Sequence, residues 1–349
     1  MRAEGHGVEH LRGQIAMRKT ESNARVQSQV EGAVVNVYEA RLREAKQQSE
    51  PPNADDTETE PDAPRKHRPS VAEPASVALT FASKARTIAG FMAPFSTVEL
   101  CGMSLAKIST AELLDHVFES LSSARGGWLV TANLDFLRRY VRDPASRAIY
   151  ADADLRVADG MPLVWASQLL GTPLPERVAG SSLLLPLCKR AAKERRSVYL
   201  LGGDPKAVPV AAERLLREAP GLVIAGQSCP NVSAEPSERE LAAMREALLL
   251  ARPAMVFVAF GSPKQERVIA ALRAALPETW WIGVGISFSF LAGHVKRAPR
   301  PLQVLGLEWA HRLAQEPRRL FRRYIIEDLP FAFELFGRVA IARLKGPEA

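Results

Sequence analysis

From Gly127 onward, short apolar runs alternate with longer segments whose apolar residues recur at helical spacing. Six of the runs predict strands: WLVTA, LRVAD, SVYLLGG, LVIAG, MVFVAFG and WWIGVGI. Each is bounded by glycine or polar residues, and the segment that follows it has the 3.6-residue period of an amphipathic helix. Repeated alternation of strand and helix predicts an α/β fold, with a Rossmann-like, mostly parallel sheet flanked by helices.

Polar residues and glycines follow five of the six predicted strands. They are Thr131, Asn133, Asp159, Gly160, Gly202, Gly203, Gly261, Gln265, Glu266, Gly283, Gly285 and Ser287. In open α/β sheets ligands bind at the carboxyl ends of the strands, where glycine allows close approach and helix amino ends favour phosphate or sugar oxygens. Turn glycines and capping residues also occur there for structural reasons, but their recurrence at five strand ends predicts a ligand site.

Asp159, in the segment VADGMP, is the candidate with the most chemistry. It places one carboxylate at the mouth of the predicted sheet, where it could act as a general base on a substrate hydroxyl. The alternative is a cap for the helix that starts near Pro162. Arg177, in ERVAGSS, could bind an anionic ligand or pair with Glu176.

Two motifs that would suggest a metal or a dinucleotide are set aside. Asp152-Ala153-Asp154 spells the DxD of many metal-dependent sugar transferases, but it precedes its strand and so falls at the wrong edge of the sheet. GVGISF begins like a dinucleotide fingerprint, yet Phe288 stands at the third glycine position and no acidic residue follows at the expected distance. We therefore predict neither a metal site nor an NAD site.

Composition divides the chain into three parts. Residues 1–90 include the acidic, proline-rich stretch from Ser49 to Pro69 and have no sustained apolar periodicity, so we expect a mostly disordered leader. Met92 also allows a start codon just before the first convincing domain sequence. We expect an α/β core over residues 91–300 and a basic helical appendage over residues 301–349.

Positive charge is concentrated near the carboxyl end. The chain has 46 Lys and Arg against 39 Asp and Glu, a formal charge of +7, and the stretch from His294 to Tyr324 carries eight basic and two acidic residues, or +6. The stretch EPRRLFRRY alone contains four arginines. Such an excess indicates a phosphate-bearing partner, namely nucleic acid, a nucleotide or an anionic membrane; the alternative is a solvated helix face.

The cysteine and hydropathy patterns indicate the cellular compartment of the protein and whether it crosses a membrane. Cys101, Cys188 and Cys229 fit no metal spacing, and their odd count argues against a disulfide framework, so we expect a reducing compartment. The longest uncharged run near the core, Thr279 to Gly293, has 15 residues and is interrupted by glycines. It is too short to span a bilayer, and we expect no membrane crossing.

Taken together, several segments in order resemble the WecG/TagA/CpsF family, glycosyltransferase family 26. They are TANLDF, VADGMPLVWA, RVAGSS, VFVAFGSPKQE, GVGISFSFLAG, KRAP and GLEWAHRLAQEPRRLFRRY, and the resemblance covers about Ser96 to Tyr324. It implies an inverting transferase without metal or other cofactor. Such an enzyme moves a sugar, of N-acetylmannosamine or glucuronic acid type, from a UDP-sugar to a polyprenyl-diphosphate-linked sugar in bacterial surface polysaccharide synthesis.

The resemblance also implies residue roles. Asp159 is the candidate base, with Thr131 and Asn133 beside it and Arg177, Gln265 and Gly261 binding substrate. Arg312, Arg319 and Arg322 match positions at which an appendage supplies arginines to the nucleotide diphosphate. Arginine suits this task because its planar fork binds phosphate oxygens in pairs. One departure is Ser182, where the family pattern leads us to expect an acidic residue.

The composition of the appendage also predicts where in the cell the enzyme is located. Aromatic and basic residues interleave over residues 302–345, as in helices that lie at a membrane interface, so we expect a cytoplasmic enzyme held peripherally on the inner face of the cell membrane through an anionic surface. One alternative is a nucleic-acid-binding protein, which leaves Asp159, Thr131 and Gln265 at one sheet edge without explanation, so nucleic acid is not an expected partner. Another is a nucleotide-binding module without turnover.

Overall fold

The computed structural model describes residues 95–345, apart from the side chains of Arg300 and Val304. The expected disordered leader and the alternative start at Met92 lie outside these residues. The described residues belong to one compact unit. No helix among them combines the length and the apolar composition that crossing a membrane requires.

The strands are β1 (Thr97–Leu100), β2 (Met103–Ala106), β3 (Gly127–Ala132), β4 (Leu155–Ala158), β5 (Ser197–Gly202), β6 (Val223–Ser228), β7 (Met255–Ala259) and β8 (Trp280–Gly283). The α-helices are α1 (Thr110–Ser122), α2 (Leu134–Arg142), α3 (Pro144–Ala151), α4 (Met161–Leu170), α5 (Gly180–Lys193), α6 (Ala207–Glu218), α7 (Glu238–Ala251), α8 (Lys264–Leu272), α9 (Ser287–Ala292), α10 (Arg300–Val304), α11 (Glu308–Gln315), α12 (Pro317–Phe321) and α13 (Leu329–Lys345). A short 3-10 helix spans Arg273–Ala275, and a π-helix spans Arg322–Asp328.

Strands β3 to β8 form one sheet in the order β4-β3-β8-β7-β5-β6, with every neighbouring pair parallel. All six predicted strands are present, so the predicted α/β fold is confirmed. From β3 the chain turns to β4 on one side and later crosses to β5 on the other. The carboxyl ends of β3, β8 and β7 therefore flank the point where connections diverge, which is where such sheets bind ligands.

Alternate residues of the central strands pack into two layers, one on each face of the sheet. On one face lie Trp128, Val130 and Trp281, and on the other lie Leu129 and Trp280. All five are at most 3% exposed. Since both faces are covered, the strands are apolar at almost every position, which explains why the sequence presents them as uninterrupted apolar runs.

The hairpin of β1 and β2 was not predicted. Each strand has four residues, and the turn between them uses Cys101 and Gly102, both with positive φ (50° and 82°). Two consecutive residues of this kind form the tight turn that matches the twist of antiparallel strands. The hairpin lies outside the strand-helix alternation on which the sequence prediction depended.

The carboxyl-terminal helices pack against the core. Phe331, Leu335 and Val339 of α13 are at most 4% exposed and belong to the same apolar cluster as Leu163 and Val164 of α4. The opposite face of α13 leaves Phe333 72% exposed. One face of α13 is therefore core, which leaves only its other face to fulfil the prediction of an interfacial helix.

Candidate active site

A cavity of about 880 Å³ lies at the carboxyl edge of the sheet. Its floor is formed by the residues that follow the strands, and its other wall is formed by α11, α12, the π-helix and α13. Of the predicted site residues, those that line the cavity are Thr131, Asn133, Asp159, Arg177, Gly261, Gln265, Arg312 and Arg319. Arg322 is the predicted residue that does not.

Asp159 lies on the cavity floor between β4 and α4. Its side chain does not cap α4, because the N-cap of that helix is Gly160 and no side-chain cap bond is formed there. Instead one carboxylate oxygen accepts a long hydrogen bond, 3.4 Å, from the backbone N–H of Gly180 at the start of α5. Asp159 has no ion pair with any residue in 95–345, so most of its hydrogen-bonding capacity faces the cavity.

The pKa of Asp159 is raised to about 7, chiefly because burial at the cavity floor disfavours the charged carboxylate. The guanidinium of Arg177 opposes this rise, and the carboxylate of Glu308 adds to it. A carboxyl group that titrates near neutral pH can accept a proton from a substrate hydroxyl more effectively than an ordinary aspartate. The location and the pKa therefore suit a general base.

Arg177 is held by an acidic residue that the sequence analysis did not consider as a partner. Its Nη1 lies 3.0 Å from Oε2 of Glu308, the first residue of α11, and both side chains are about one-sixth exposed (17% and 16%). Arg297 Nε lies 3.5 Å from the other oxygen of Glu308. Glu176, the alternative partner, instead accepts from the backbone of Thr110. Of the two alternatives left open for Arg177, pairing with Glu176 is therefore not the one that the structure shows.

Thr131 and Asn133 are placed by the end of β3. The side-chain oxygen of Asn133 accepts from the backbone N–H of Phe136 at 3.2 Å and so caps α2, which leaves its side-chain nitrogen for a ligand. Thr131 lies under Gly180, where a Cβ would come within 3.0 Å of its hydroxyl oxygen. Because Gly180 has no side chain, α5 can start directly beside Thr131 and Asp159.

Gln265 sits at the start of α8, after the turn at Gly261 (φ 74°). Its Nε2 donates to Glu266 at 2.6 Å, and its Oε1 accepts from the backbone N–H of Gly285 at 3.3 Å. Burial raises the pKa of Glu266, opposed by a hydrogen bond from Ser262. Both ends of the Gln265 amide are thereby oriented, which fixes how it faces the cavity.

The appendage brings Arg312 and Arg319 to the opposite wall. Arg312 has no carboxylate within ion-pair distance among residues 95–345, although it helps to lower the pKa of Glu316, and its Nε is buried without a hydrogen-bond partner. Arg319 lines the cavity while pairing with Glu316. A buried guanidinium N–H without a hydrogen-bond partner favours an anionic ligand, because leaving such a group unpaired is costly.

Arg322 points away from the cavity and pairs with Glu327 at 3.2 Å, with 82% of its side chain exposed. The family resemblance had grouped it with Arg312 and Arg319 as a residue that contacts the diphosphate. The chain changes to a π-helix at Arg322, whose i to i+5 repeat aligns Arg322 with Glu327 instead. Its neighbour Arg323 lines the cavity and was not predicted as a site residue.

A group of ion pairs fixes the appendage beside α2. The buried carboxylate of Asp135 lies within 2.6 to 2.7 Å of Arg138, Arg139 and Arg323. Arg138 also contacts Asp328 of the π-helix at 2.9 Å. The pKa of Asp328 is raised to about 6 by burial and by its neighbour Asp135, while Arg138 and Arg323 oppose the rise. These contacts make one charged network across the junction.

The other acidic residues considered for metal binding lie at the opposite end of the sheet. Asp154 accepts from the backbone of Trp128 at 2.8 Å and pairs with Arg273 at 2.8 Å, and Asp152 pairs with the same arginine. The interpretation that this DxD falls at the wrong edge is confirmed. Among residues 95–345, no cluster of three or more His, Cys, Asp or Glu side chains is placed to hold a metal ion. Cys101, Cys188 and Cys229 are free thiols.

Sequence reasoning missed several residues of the site. Glu308 and Arg323 lie within segments that carry the family resemblance, but their roles depend on how the appendage docks. Asn231 and Asp204 also line the cavity, Asn231 after β6, the one strand without a predicted polar end. Apart from the segment GLEWAHRLAQEPRRLFRRY as a whole, no local signal distinguished Glu308.

A parallel α/β sheet with a carboxylate at its carboxyl edge and arginines on the opposite wall suits an enzyme that transfers a group away from a phosphate leaving group. The chain belongs to the WecG/TagA/CpsF family: the profile described as "Glycosyl transferase WecG/TagA/CpsF family" matches residues 98–345. The chain is also similar to the N-acetylglucosaminyldiphosphoundecaprenol N-acetyl-beta-D-mannosaminyltransferase of Bacillus spizizenii. The two are 35% identical over 199 residues, which cover 57% of this chain and 75% of that enzyme.

Proposed function

We propose that this glycosyltransferase moves a sugar from a UDP-sugar to a polyprenyl-diphosphate-linked sugar, with inversion and without a metal, in the synthesis of a bacterial surface polysaccharide. The observation that carries the proposal concerns one cavity. Among residues 95–345 its carboxylate Asp159 forms no ion pair, and on the opposite wall Arg312 has a buried Nε without a hydrogen-bond partner. The first suits an acceptor hydroxyl and the second suits a diphosphate.

In this mechanism Asp159 takes the proton of the acceptor hydroxyl as the hydroxyl oxygen attacks the anomeric carbon of the donor sugar. The bond from that carbon to the diphosphate oxygen breaks, and its electron pair leaves with UDP. One displacement inverts the anomeric centre. Arg312 and Arg319 stabilise the negative charge that develops on the leaving diphosphate, the type of electrostatic stabilisation that contributes most to many enzymes.

In this proposal five further residues bind the polar groups of donor and acceptor: Thr131, Asn133, Arg177, Gly261 and Gln265. Their support is that all five line the same cavity as Asp159. The oriented amide of Gln265 and the free side-chain nitrogen of Asn133 supply fixed donors and acceptors for hydroxyl groups. Arg322 stays a prediction from the family resemblance, since in this structure it pairs with Glu327 instead.

The sugar is proposed from the printed name of the relative. Because that enzyme transfers N-acetyl-β-D-mannosamine to an undecaprenyl-diphosphate-linked N-acetylglucosamine, we expect the same donor and acceptor class here. A donor of the glucuronic acid type is the alternative that a substrate panel must include.

The test measures UDP release from a panel of UDP-sugars with a lipid-diphosphate-linked N-acetylglucosamine acceptor. We expect turnover of one donor, and a loss of about 10²- to 10⁴-fold in kcat for Asp159→Asn, because the base is removed while the side-chain shape is kept. Asp152→Asn, at the other end of the sheet, is the matched control and should keep its activity. UDP binding without release from any donor would instead support a module without turnover.

We also propose that the appendage attaches the enzyme peripherally to the inner face of the cell membrane. Phe321 and Phe333 are 52% and 72% exposed, and the exposed cations Arg322 and Arg338 lie on the same carboxyl-terminal helices. Apolar side chains beside basic ones are typical of surfaces that bind anionic lipid. Because α13 is partly core, substitution tests this better than truncation.

The membrane test is flotation with vesicles that contain or lack anionic lipid. Phe321→Ser combined with Phe333→Ser should reduce binding to anionic vesicles, whereas Val210→Ser, at an exposed position on α6, should not. Equal flotation of all three proteins would contradict attachment through this surface.

A further inference from the structure

The unexpected feature of the site is the carboxylate of Glu308, which reaches the core from the appendage. It lies 3.0 Å from Arg177 and 3.5 Å from Arg297, and only 16% of its side chain is exposed. Arg297 in turn donates to the hydroxyl of Ser182 at 2.8 Å. The position where the family pattern leads us to expect an acidic residue is thus neutral here, and the acidic partner of Arg297 comes from the appendage.

The backbone just before Glu308 fixes its location. Gly306 has φ 70°, and a Cβ there would lie 2.8 Å from Cβ of Met161 and 2.9 Å from the ring of Trp165. Met161 begins α4, two residues after Asp159. Because Gly306 has no side chain, its backbone packs directly against α4. This contact places Glu308 next to the cavity floor on which Asp159 lies.

Arg177 lies near two carboxylates, those of Asp159 and Glu308, and could pair with either. Its guanidinium is close enough to lower the pKa of Asp159, but its ion pair within the described range is with Glu308. A direct ion pair with an arginine usually makes an aspartate a much weaker base. The choice of partner by Arg177 therefore decides how well Asp159 can take a proton.

We propose that Glu308 is a positioning residue of the transfer reaction: by holding Arg177, it keeps that guanidinium from closing on Asp159 and leaves Asp159 free for the acceptor hydroxyl. This inference rests on the proposed role of Asp159 as the base. The two carboxylates thus have separate roles: Glu308 neutralises Arg177, and Asp159 remains available for proton transfer.

The charged groups around Asp159 come from three segments. Arg177 precedes α5, Arg297 follows α9, and Glu308 begins α11; all three influence the pKa of Asp159, the arginines lowering it and Glu308 raising it. The backbone N–H of Gly180 also lowers it. Loss of Glu308 removes the one negative neighbour and releases one positive neighbour, so both consequences shift the pKa of Asp159 in the same direction, downward.

The decisive experiment follows the titration of Asp159 in the free, full-length enzyme by NMR of carboxyl-labelled aspartate, with the signal identified by its loss in Asp159→Asn. We expect a midpoint near 7 in the parent enzyme. In Glu308→Gln the midpoint should fall by about one unit or more. In the double variant Arg177→Gln with Glu308→Gln it should move back up, because the released guanidinium is absent.

Glu334→Gln is the matched control. Glu334 also bridges the appendage to the core, through Arg142, but belongs to α13 and does not line the cavity. Its removal should leave the Asp159 midpoint unchanged. An unchanged midpoint in Glu308→Gln, or equal midpoints in Glu308→Gln and the double variant, would overturn the proposal. If Glu308→Gln does not fold, Glu308→Asp keeps the charge with a shorter reach and should give a smaller fall; no fall would overturn the proposal.

Activity adds a second measurement. In Glu308→Gln the acid limb of the kcat profile should move to lower pH with the midpoint, and the plateau should fall about tenfold or more because Arg177 and the acceptor are misplaced. A plateau loss without movement of the limb would indicate a merely structural role. If the parent enzyme releases no UDP, the proposed function fails, whereas the NMR titration still decides whether Glu308 controls Asp159.

Discussion

The cavity has two sides that are built in different ways: its floor at the carboxyl edge of the sheet, called the sheet wall, and the opposite side formed by α11 to α13, called the appendage wall. The sheet wall presents backbone groups, small polar side chains and one carboxylate, and the short connections of a buried sheet fix their positions. The appendage wall presents three arginines among aromatic, aliphatic and acidic side chains, and two of the three are paired, Arg323 with Asp135 and Arg319 with Glu316. Part of the basic excess therefore docks the appendage on the core, and of the three arginines in this wall Arg312 is the one without an ion pair among residues 95–345.

The largest effect should come from breaking the junction between the walls. Asp135→Asn removes the buried carboxylate shared by Arg138, Arg139 and Arg323. Arg139 then has no ion pair among residues 95–345, and Arg323 keeps only a 3.9 Å contact with Asp328. We expect a loss of about 3 to 5 kcal/mol in the free energy of unfolding, measured by urea denaturation. Hydrogen exchange over α11 to α13 should rise with it.

The matched control for Asp135→Asn is Glu334→Gln. Its partners Arg142 and Arg338 are each more than half exposed, so its loss should cost about 1 kcal/mol or less. Similar losses in both variants would show that burial of the network contributes nothing beyond an ordinary surface ion pair.

A somewhat smaller effect should separate the two kinds of arginine on the appendage wall. Arg312→Gln should lower kcat about 10²- to 10³-fold, because it removes a preorganised charge at the proposed diphosphate. Arg322→Gln should stay within about fivefold, because it removes an exposed ion pair. UDP release at saturating substrate measures both. Equal losses would restore Arg322 to the diphosphate site and imply that the π-helix rearranges when substrate binds.

The smallest predicted effect is the loss of folding stability that the buried carboxyl group of Asp159 causes as the pH rises. The pKa of Asp159 is about 7 in the folded protein against an ordinary value of 3.8, so between about pH 4 and 7 the folded state retains a proton that the unfolded state has lost. The contribution of this group to stability therefore falls as the pH rises through that window. Asp159→Asn should raise Tm by a few degrees at pH 8 and hardly at all at pH 4.

The control for this measurement is Asp152→Asn, at an exposed position on the opposite edge of the sheet, for which the Tm difference should stay near zero throughout. A Tm difference for Asp159→Asn that does not change with pH would mean that Asp159 titrates as an ordinary aspartate.

The sheet wall could be predicted from sequence because its signals are local. Buried strands leave apolar runs, and residues such as Thr131, Asp159 and Gln265 follow those runs at once, so knowing the strands was enough to group them. The hairpin of β1 and β2 lacked this signal because it precedes the strand-helix alternation and because its first strand, TVEL, alternates exposed and buried positions instead of forming an apolar run.

The appendage wall could be predicted only in part, because its geometry depends on long-range contacts. The family resemblance grouped Arg322 with Arg312 and Arg319, but the π-helix turns Arg322 outward and Arg323 inward. Glu308 meets Arg177, 131 positions earlier in the chain. No periodicity along the sequence encodes such a pair.

The strand order has a consequence for synthesis of the chain. The last strand, β8, lies between β3 and β7, so β3 with β4 and β5 with β6 and β7 remain two separate sheets until Trp280 to Gly283 emerge from the ribosome. At roughly 5 to 20 residues per second, several seconds pass between translation of β3 and of β8. During that time the nascent chain holds Asp159 but no cavity around it, and strand edges that are later paired are open to chaperones.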